Sequence, residues 1–135
     1  MASAAQISPV TQTNVWPGRI VSALPVLFLV FDATIKLVGN PAVTQAFTQL
    51  GLPITLVTRI AALEVLCLIL YVLPSTAVLG TVLLTGFLGG AVALHVRVAD
   101  LLFSHVLFPV YVGVLLWGGL FLRDRRVRSL LPLRK

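Results

Sequence analysis

The chain has 135 residues, of which 59% are hydrophobic and only 10% are charged, and its mean hydropathy is +1.06. Because a soluble domain carries about 25% charged residues, this composition excludes an ordinary soluble enzyme and indicates a single-domain membrane protein. The formal net charge is +6. Six of the ten basic residues fall in the last thirteen positions: Arg123, Arg125, Arg126, Arg128, Arg134 and Lys135. No base-reading element accompanies them, so we expect a cytoplasmic membrane flank and no nucleic-acid partner.

The first seventeen residues contain no charged side chain and are rich in Ser, Thr and Gln. This composition predicts a disordered tail over 1–17, without the apolar core of a secretory signal peptide. The single cysteine, Cys67, lies within an apolar stretch. One cysteine and no CxxC motif exclude dithiol redox chemistry in this chain alone, so Cys67 is interpreted as a small buried hydrophobic side chain.

Four apolar stretches follow, each close to the roughly 20 residues that cross a hydrocarbon core. The predicted membrane-spanning helices are 18–38, 54–73, 76–98 and 104–122. They predict an all-α fold, an antiparallel bundle of four transmembrane helices over 18–122, with a basic cytoplasmic tail at 123–135. Four spans put both termini on one side, and the tail together with Arg19 predicts that this side is cytoplasmic. Trp16, Tyr71 and Trp117 then fall near that interface, as in an aromatic belt.

The connections between the spans also carry signals. Gly39, Asn40 and Pro41 predict the end of the first helix. Residues 42–50 follow with apolar side chains at helical spacing, which predicts a short interfacial helix on the outer surface. Only a short link around 74–75 joins the second and third spans, so those helices must be antiparallel neighbours.

Eight ionisable side chains lie in or beside the spans: Asp32, Lys36, Arg59, Glu64, His95, Arg97, Asp100 and His105. With the predicted topology, all eight fall at mid-depth or in the outer half of the membrane. A charge at the bilayer centre costs a few kcal/mol or more, so an intramembrane ionisable residue is by default a functional-site hypothesis.

Two opposite-charge pairs have helical spacing. Asp32 and Lys36 are four residues apart with the acid first, the favourable order. Arg97 and Asp100 are three residues apart. Such pairs can simply hold helices in register, and long basic side chains can extend to the membrane surface, so we favour that structural interpretation for Arg59 and Arg97.

Glu64 is the deep carboxylate that needs a partner. Arg59 is five residues away, about 140° around the helix, and cannot serve it well. Glu64 must therefore meet a residue of another helix, Lys36 or His95, or bind a proton. Because deep carboxylates cannot extend far towards water, Asp32, Lys36 and Glu64 together favour a binding site over a purely structural role.

The remaining polar side chains are weaker signals. His95 and His105 could suggest a proton relay or a metal site, but two histidines on different helices are weak evidence, and we predict no metal. Tyr111 either borders the same cavity or lies at the membrane interface. No P-loop, dinucleotide fingerprint, metalloprotease or serine-nucleophile motif is present.

Small residues on the third span form a GxxxG motif at Gly86 and Gly90. Glycines at this spacing let membrane helices approach closely. We favour packing within one bundle, and the alternative is a face for a partner protein or a homo-oligomer.

Several fragments of the sequence resemble the DoxX-like family: 31–36, 50–53, 62–65, 73–74 with Gly80, 89–97 and 117–124. The resemblance covers 18–132 and implies a four-helix inner-membrane protein. The polar positions that match those of the family are Lys36, Glu64 and His95. The family takes its name from a subunit of a thiosulfate:quinone oxidoreductase, and some relatives resemble redox-complex accessories or membrane chaperones. Without a cysteine pair, a redox role here would need quinone or a partner's cofactor.

Three functional hypotheses follow. The first is a multi-pass protein of the cytoplasmic membrane whose outward-facing polar pocket binds a small amphiphile, a quinone or lipid, in service of a redox or stress-response system. The candidate pocket residues are Asp32, Lys36, Glu64, His95 and Arg97, with Arg59, Asp100, His105 and Tyr111 secondary. The second is a scaffold or assembly factor whose charges set helix register. The third is a quinone-linked oxidoreductase subunit, although we do not expect the chain to be an enzyme on its own.

Overall fold

The structure, a computed structural model, describes residues 15–130. Within that range the chain is helical and forms no strand. The helices are α1 Trp16–Leu37, α2 Pro41–Gln49, α3 Val57–Val72, α4 Ala77–Arg97, α5 Phe108–Arg123 and α6 Arg125–Leu130. A 3₁₀ turn, Ile54–Leu56, precedes α3, and a π-helical turn, Leu102–Val106, precedes α5. Four helical segments are long and apolar enough to cross a membrane, which confirms the predicted all-α, four-helix membrane fold.

Local sequence signals account for the ends of α1 and α2. Gly39 and Gly51 follow these helices with φ of +72° and +68°, a conformation that glycine adopts without steric cost. The Asn40 side chain accepts a hydrogen bond of 2.9 Å from the Ala42 backbone N–H, and Pro41 occupies the first turn of α2. This is the short helix that the sequence predicts over 42–50, beginning one residue earlier.

The four spanning segments form a ring of neighbours. α1 packs against α3 and α5, and α4 packs against the same two helices. We call the end of the bundle that holds Trp16, the α3–α4 link and Arg123 the terminal end. The other end, which holds α2 and Asp100, is called the α2 end. The predicted polar residues therefore lie between the middle of the bundle and the α2 end, whereas Arg19 and Arg123 lie at the terminal end.

The closest helix contacts lie towards the terminal end and depend on glycine. A methyl group at Gly80 would lie 2.3 Å from the Tyr71 backbone nitrogen, and one at Gly119 would lie 2.2 Å from Ser22 Oγ. Gly86 and Gly90, by contrast, have open space where a side chain would project. The preferred interpretation of their GxxxG motif, packing within the bundle, is therefore wrong, because both residues border a cavity.

The two predicted tails differ in part from the structure. Residues 1–14 and 131–135 lie outside the described residues, and the first of these ranges contains most of the predicted disordered tail, 1–17. Trp16 and Pro17, which that prediction included, already belong to α1. The basic segment after α5 includes a short helix, α6, whose Val127 is buried. This apolar side chain packs with the bundle core, which is why the segment folds back onto it.

Candidate functional site

The centre of the candidate site is an ammonium group held by two carboxylates. Lys36 Nζ donates to Asp32 Oδ2, one turn earlier on α1. It also donates to Glu64 Oε2 on α3 over 2.8 Å. The predicted helical pair therefore forms, and Lys36 is the interhelical partner that Glu64 required. We call these three residues the Lys36 cluster.

Glu64 is the most buried member of the Lys36 cluster. Its side chain has no exposed surface, against 12% for Lys36 and 30% for Asp32. Its second oxygen, Oε1, has no hydrogen-bond partner among residues 15–130. Two carboxylates face one ammonium, so the cluster carries one surplus negative charge when both are ionised and none when one binds a proton. In either state it has no positive charge to offer a ligand.

A cavity of about 650 Å³ opens beside this cluster, within the size range of small-molecule sites. Its walls come from α1, α3, α4 and α5, and they are mainly apolar. The charged or titratable side chains on its lining are Asp32, Lys36 and His95. Glu64 does not line this space, and it contacts Lys36 inside the bundle. We call this space the Lys36 cavity.

Aromatic rings and glycines shape the Lys36 cavity. Phe28 of α1 and Phe108 of α5 meet edge to face with their ring centroids 4.8 Å apart. The Lys36 ammonium lies 5.7 Å from the centroid of the Phe87 ring, within the range of a cation–π interaction. Gly86 and Gly90 leave the α4 wall without side chains. The space therefore exists because small residues face large rings across it.

The amphipathic helix α2 closes the cavity at one end. Phe47 and Leu50 of this segment lie on its lining. Arg97, at the end of α4, donates through Nη2 to the Leu50 carbonyl oxygen. The spacing of Arg97 and Asp100 predicts an ion pair, but Arg97 contacts Leu50 instead. Arg97 also does not line the Lys36 cavity. Its observed contact connects α2 to α4, which is a positioning role.

A second polar cluster caps the α2 end. His95 Nδ1 and Asp100 Oδ2 are 2.8 Å apart, and His105 Nδ1 lies 3.5 Å from Asp100 Oδ1. The hydrogen bond from His95 lowers the pKa of Asp100, and the Leu101 backbone N–H adds to this effect. Because His95 also lines the Lys36 cavity, this cluster connects the cavity to the end of the bundle.

Two secondary candidates do not join either cluster. Arg59 is exposed on α3 and forms no ion pair within residues 15–130. Tyr111 is 48% exposed on α5 and does not line the Lys36 cavity. Tyr111 therefore fits the interfacial interpretation. No group of three or more His, Cys, Asp or Glu side chains among the described residues could hold a metal ion.

Sequence reasoning missed a buried polar contact near the terminal end. Tyr71 has no exposed surface, so its predicted place in an aromatic belt is wrong. Its hydroxyl donates to the Leu116 carbonyl oxygen over 2.9 Å and lies 3.0 Å from Ser22 Oγ. The Arg123 guanidinium donates to the Tyr71 carbonyl oxygen over 2.8 Å. The signal available in the sequence was Gly80, whose missing side chain lets α4 cover Tyr71.

The comparison with protein families places this architecture in a known group. The profile of the DoxX-like family matches residues 20–119. The chain belongs to the DoxX-like family. The match includes α2 and all three residues of the Lys36 cluster, together with His95 and Arg97. Family membership and the four apolar helices together show a multi-pass membrane protein. Comparisons with curated proteins and with solved structures gave no match.

Proposed function

We propose that the Lys36 cavity binds one small, uncharged amphiphile, and that a quinone fits it best. The observation that carries this proposal is the combination of a mainly apolar space of about 650 Å³ with a partly buried ammonium group on its wall. Apolar walls suit a hydrocarbon tail or ring, and a few convergent polar groups fix its orientation. The binding protein would be a cytoplasmic-membrane accessory of a redox or stress-response system.

Lys36 has a hydrogen-bond donor to offer such a ligand. An ammonium group has three N–H donors, and two of them are directed to Asp32 and Glu64. The third is available to a carbonyl oxygen of a bound quinone. His95 supplies a second polar group on the same lining, and its ring nitrogens can donate or accept a hydrogen bond.

The charge of the Lys36 cluster selects against anionic ligands. The carboxylates of Asp32 and Glu64 at least balance the ammonium of Lys36. An anionic lipid headgroup would lose its hydration without gaining a compensating positive charge. A quinone or an uncharged lipid avoids this cost, and a quinone has two carbonyl acceptors for the polar side chains.

Ligand titration with matched cavity variants tests the proposal. Purified protein would be titrated with a short-chain ubiquinone analogue and, separately, with an uncharged lipid, diacylglycerol. The bound ligand would be measured after the protein is separated from free ligand. Gly90→Leu fills the Lys36 cavity, whereas Gly89→Leu projects from another face of α4, beside Trp117. We expect saturable quinone binding that Gly90→Leu abolishes and Gly89→Leu retains. Equal binding to both variants contradicts the proposal.

A second candidate function, a membrane scaffold, has its own supporting observation. Lys36 and Glu64 join α1 to α3 inside the bundle, and Glu64 does not line the cavity. An ion pair placed in this way can set helix register. Glu64→Gln separates the candidates when quinone binding and bundle stability are measured together. If the protein is a scaffold, neither the wild type nor Glu64→Gln binds quinone, and the variant is less stable. If the cavity is a binding site, the Glu64→Gln variant folds but binds quinone more weakly than the wild type.

A further inference from the structure

A second polar pocket lies at the terminal end and shares no lining residue with the Lys36 cavity. It has a volume of about 510 Å³, and its charged lining consists of Arg19, Arg123, Asp124 and Arg126. Three arginines and one aspartate leave two surplus positive charges. We call this space the Arg123 pocket. Its charge is opposite in sign to the surplus that the Lys36 cluster carries when both its carboxylates are ionised.

The Arg123 side chain is held in place by the fold. Its guanidinium carbon lies 4.6 Å from the centroid of the buried Tyr71 ring, and its Nη2 donates to the Tyr71 carbonyl oxygen. Its Nε has no hydrogen-bond partner within residues 15–130. The guanidinium is therefore fixed in orientation and has unused hydrogen-bonding capacity, unlike an arginine on a solvated tail.

The neighbouring basic residues complete a pocket at the ends of two helices that are long and apolar enough to cross a membrane. Arg19 is in the first turn of α1 and Arg123 is the last residue of α5, so both lie at the ends of membrane-spanning helices. Arg126 approaches from α6, whose first turn is held by a hydrogen bond of 2.9 Å from the Arg126 backbone N–H to Asp124 Oδ1. Three separate helices thus bring guanidinium groups to one pocket.

We propose that the Arg123 pocket binds the phosphate group of an anionic membrane lipid. Guanidinium groups match phosphate oxygens with paired hydrogen bonds, and anionic lipids attract basic residues next to a membrane span. A free phosphate compound shares this chemistry, but the pocket lies where lipid headgroups are concentrated. The site is independent of the Lys36 cavity, so its test does not depend on a quinone.

Lipid titration followed by native mass spectrometry tests this site. The full-length protein would receive phosphatidylglycerol or phosphatidylcholine, and the bound lipids would be counted. We expect phosphatidylglycerol to bind about tenfold more tightly. The double variant Arg19→Gln/Arg126→Gln should lose this preference. Arg123 is left unchanged in that variant because it also supports Tyr71.

Arg59→Gln is the matched control for the single variant Arg126→Gln, because each removes one positive charge, and Arg59 lies at the α2 end, so its loss should leave the preference unchanged. Equal binding of the two lipids to the wild type overturns the proposal, as does an undiminished preference in the double variant. Glycerol phosphate separates the possible sources. Its failure to displace phosphatidylglycerol supports a lipid ligand. Displacement at equal concentration would instead assign the site to a soluble phosphate compound and overturn the lipid proposal. If the double variant does not fold, Arg126→Gln alone carries the same comparison.

Discussion

Lys36 connects the chemistry of the site to the stability of the bundle. Its ammonium group contacts a carboxylate on its own helix and another on α3. Only the first contact has helical spacing, while the second joins residues that are 28 positions apart in the chain. Removing Lys36 would leave Glu64 buried without a cation, and a buried unpaired charge is strongly destabilising.

We predict that Lys36→Met lowers the free energy of unfolding by about 3–5 kcal/mol. Glu64→Gln should cost less, because glutamine still accepts a hydrogen bond from Lys36, and Lys36 keeps Asp32. The double variant Lys36→Met/Glu64→Met should recover part of the loss, since the fully buried carboxylate is removed together with its cation and only the partly exposed Asp32 loses its partner. Reversible unfolding in mixed micelles measures all three. Equal losses in the two single variants would contradict the assigned pairing.

Tyr71 provides a second prediction at this scale. Tyr71→Phe removes the hydroxyl that donates to the Leu116 carbonyl oxygen, and we expect a loss of about 1 kcal/mol in unfolding free energy. Tyr111→Phe is the matched control, because that tyrosine is exposed and should tolerate the change. If both variants unfold alike under the same conditions, the buried contact has no energetic role.

The sequence predicted the Lys36 cluster better than the Tyr71 contact for a physical reason. Asp32 and Lys36 meet because of helix geometry alone, and a deep carboxylate such as Glu64 has few possible partners. Tyr71 appeared to be an interfacial aromatic because it lies near a span end. Its burial depends on Gly80 and on the docking of α5, which are properties of the tertiary structure.

At the scale of elements, α4 has a closely packed part and an open part. Gly80 meets the α3 backbone near the start of α4, whereas Gly86 borders the Lys36 cavity. A glycine motif indicates that space is available, but it does not say whether a helix or a ligand fills that space. The sequence therefore located the small residues correctly and assigned the wrong role to Gly86 and Gly90.

We predict that Gly80→Ala disrupts the α3–α4 hairpin. The added methyl group would overlap the Tyr71 backbone, and overpacking costs about 1–3 kcal/mol or more. Gly86→Ala meets no atom and should leave stability unchanged, apart from a small gain in helix propensity. Thermal melting in detergent compares the two. A stable Gly80→Ala variant would show that the hairpin is packed more loosely than the structure indicates.

The stability of the connection between α4 and α5 should depend on pH, because Asp100 is the carboxylate in its contacts. Its pKa lies below the ordinary value of 3.8 because His95 and the Leu101 backbone N–H donate to the carboxylate. The resulting stabilisation is present above the ordinary pKa and is lost as pH falls through the lowered pKa. Asp100→Asn should therefore melt below the wild type at pH 6, with a smaller difference below about pH 4. A difference that is independent of pH would contradict the contact.

At the scale of the whole molecule, the two ends of the bundle differ in character. The α2 end carries the Lys36 cluster and its cavity, and the terminal end carries the Arg123 pocket. The general excess of basic residues on the cytoplasmic side predicts that the terminal end faces the cytoplasm. This orientation would open the Lys36 cavity towards the outer leaflet.

Cysteine labelling in intact cells tests the predicted orientation. Gln49→Cys on α2 and Ser129→Cys on α6 are exposed sites at opposite ends, and the native Cys67 is buried. We expect a membrane-impermeant maleimide to label Gln49→Cys in intact cells and Ser129→Cys only after permeabilisation. The reverse pattern would invert the topology and direct the Lys36 cavity to the cytoplasmic side.

Native mass spectrometry of the purified protein, with identification of extracted small molecules, tests the central claim most directly. Wild-type protein and the Gly89→Leu variant should retain one quinone or other uncharged amphiphile per chain. Gly90→Leu, which fills the Lys36 cavity, should fold and carry none. A binding role for the cavity would be contradicted if the wild type is purified without a ligand and binds no quinone when quinone is added. Equal retention of the ligand by Gly89→Leu and Gly90→Leu would contradict it as well.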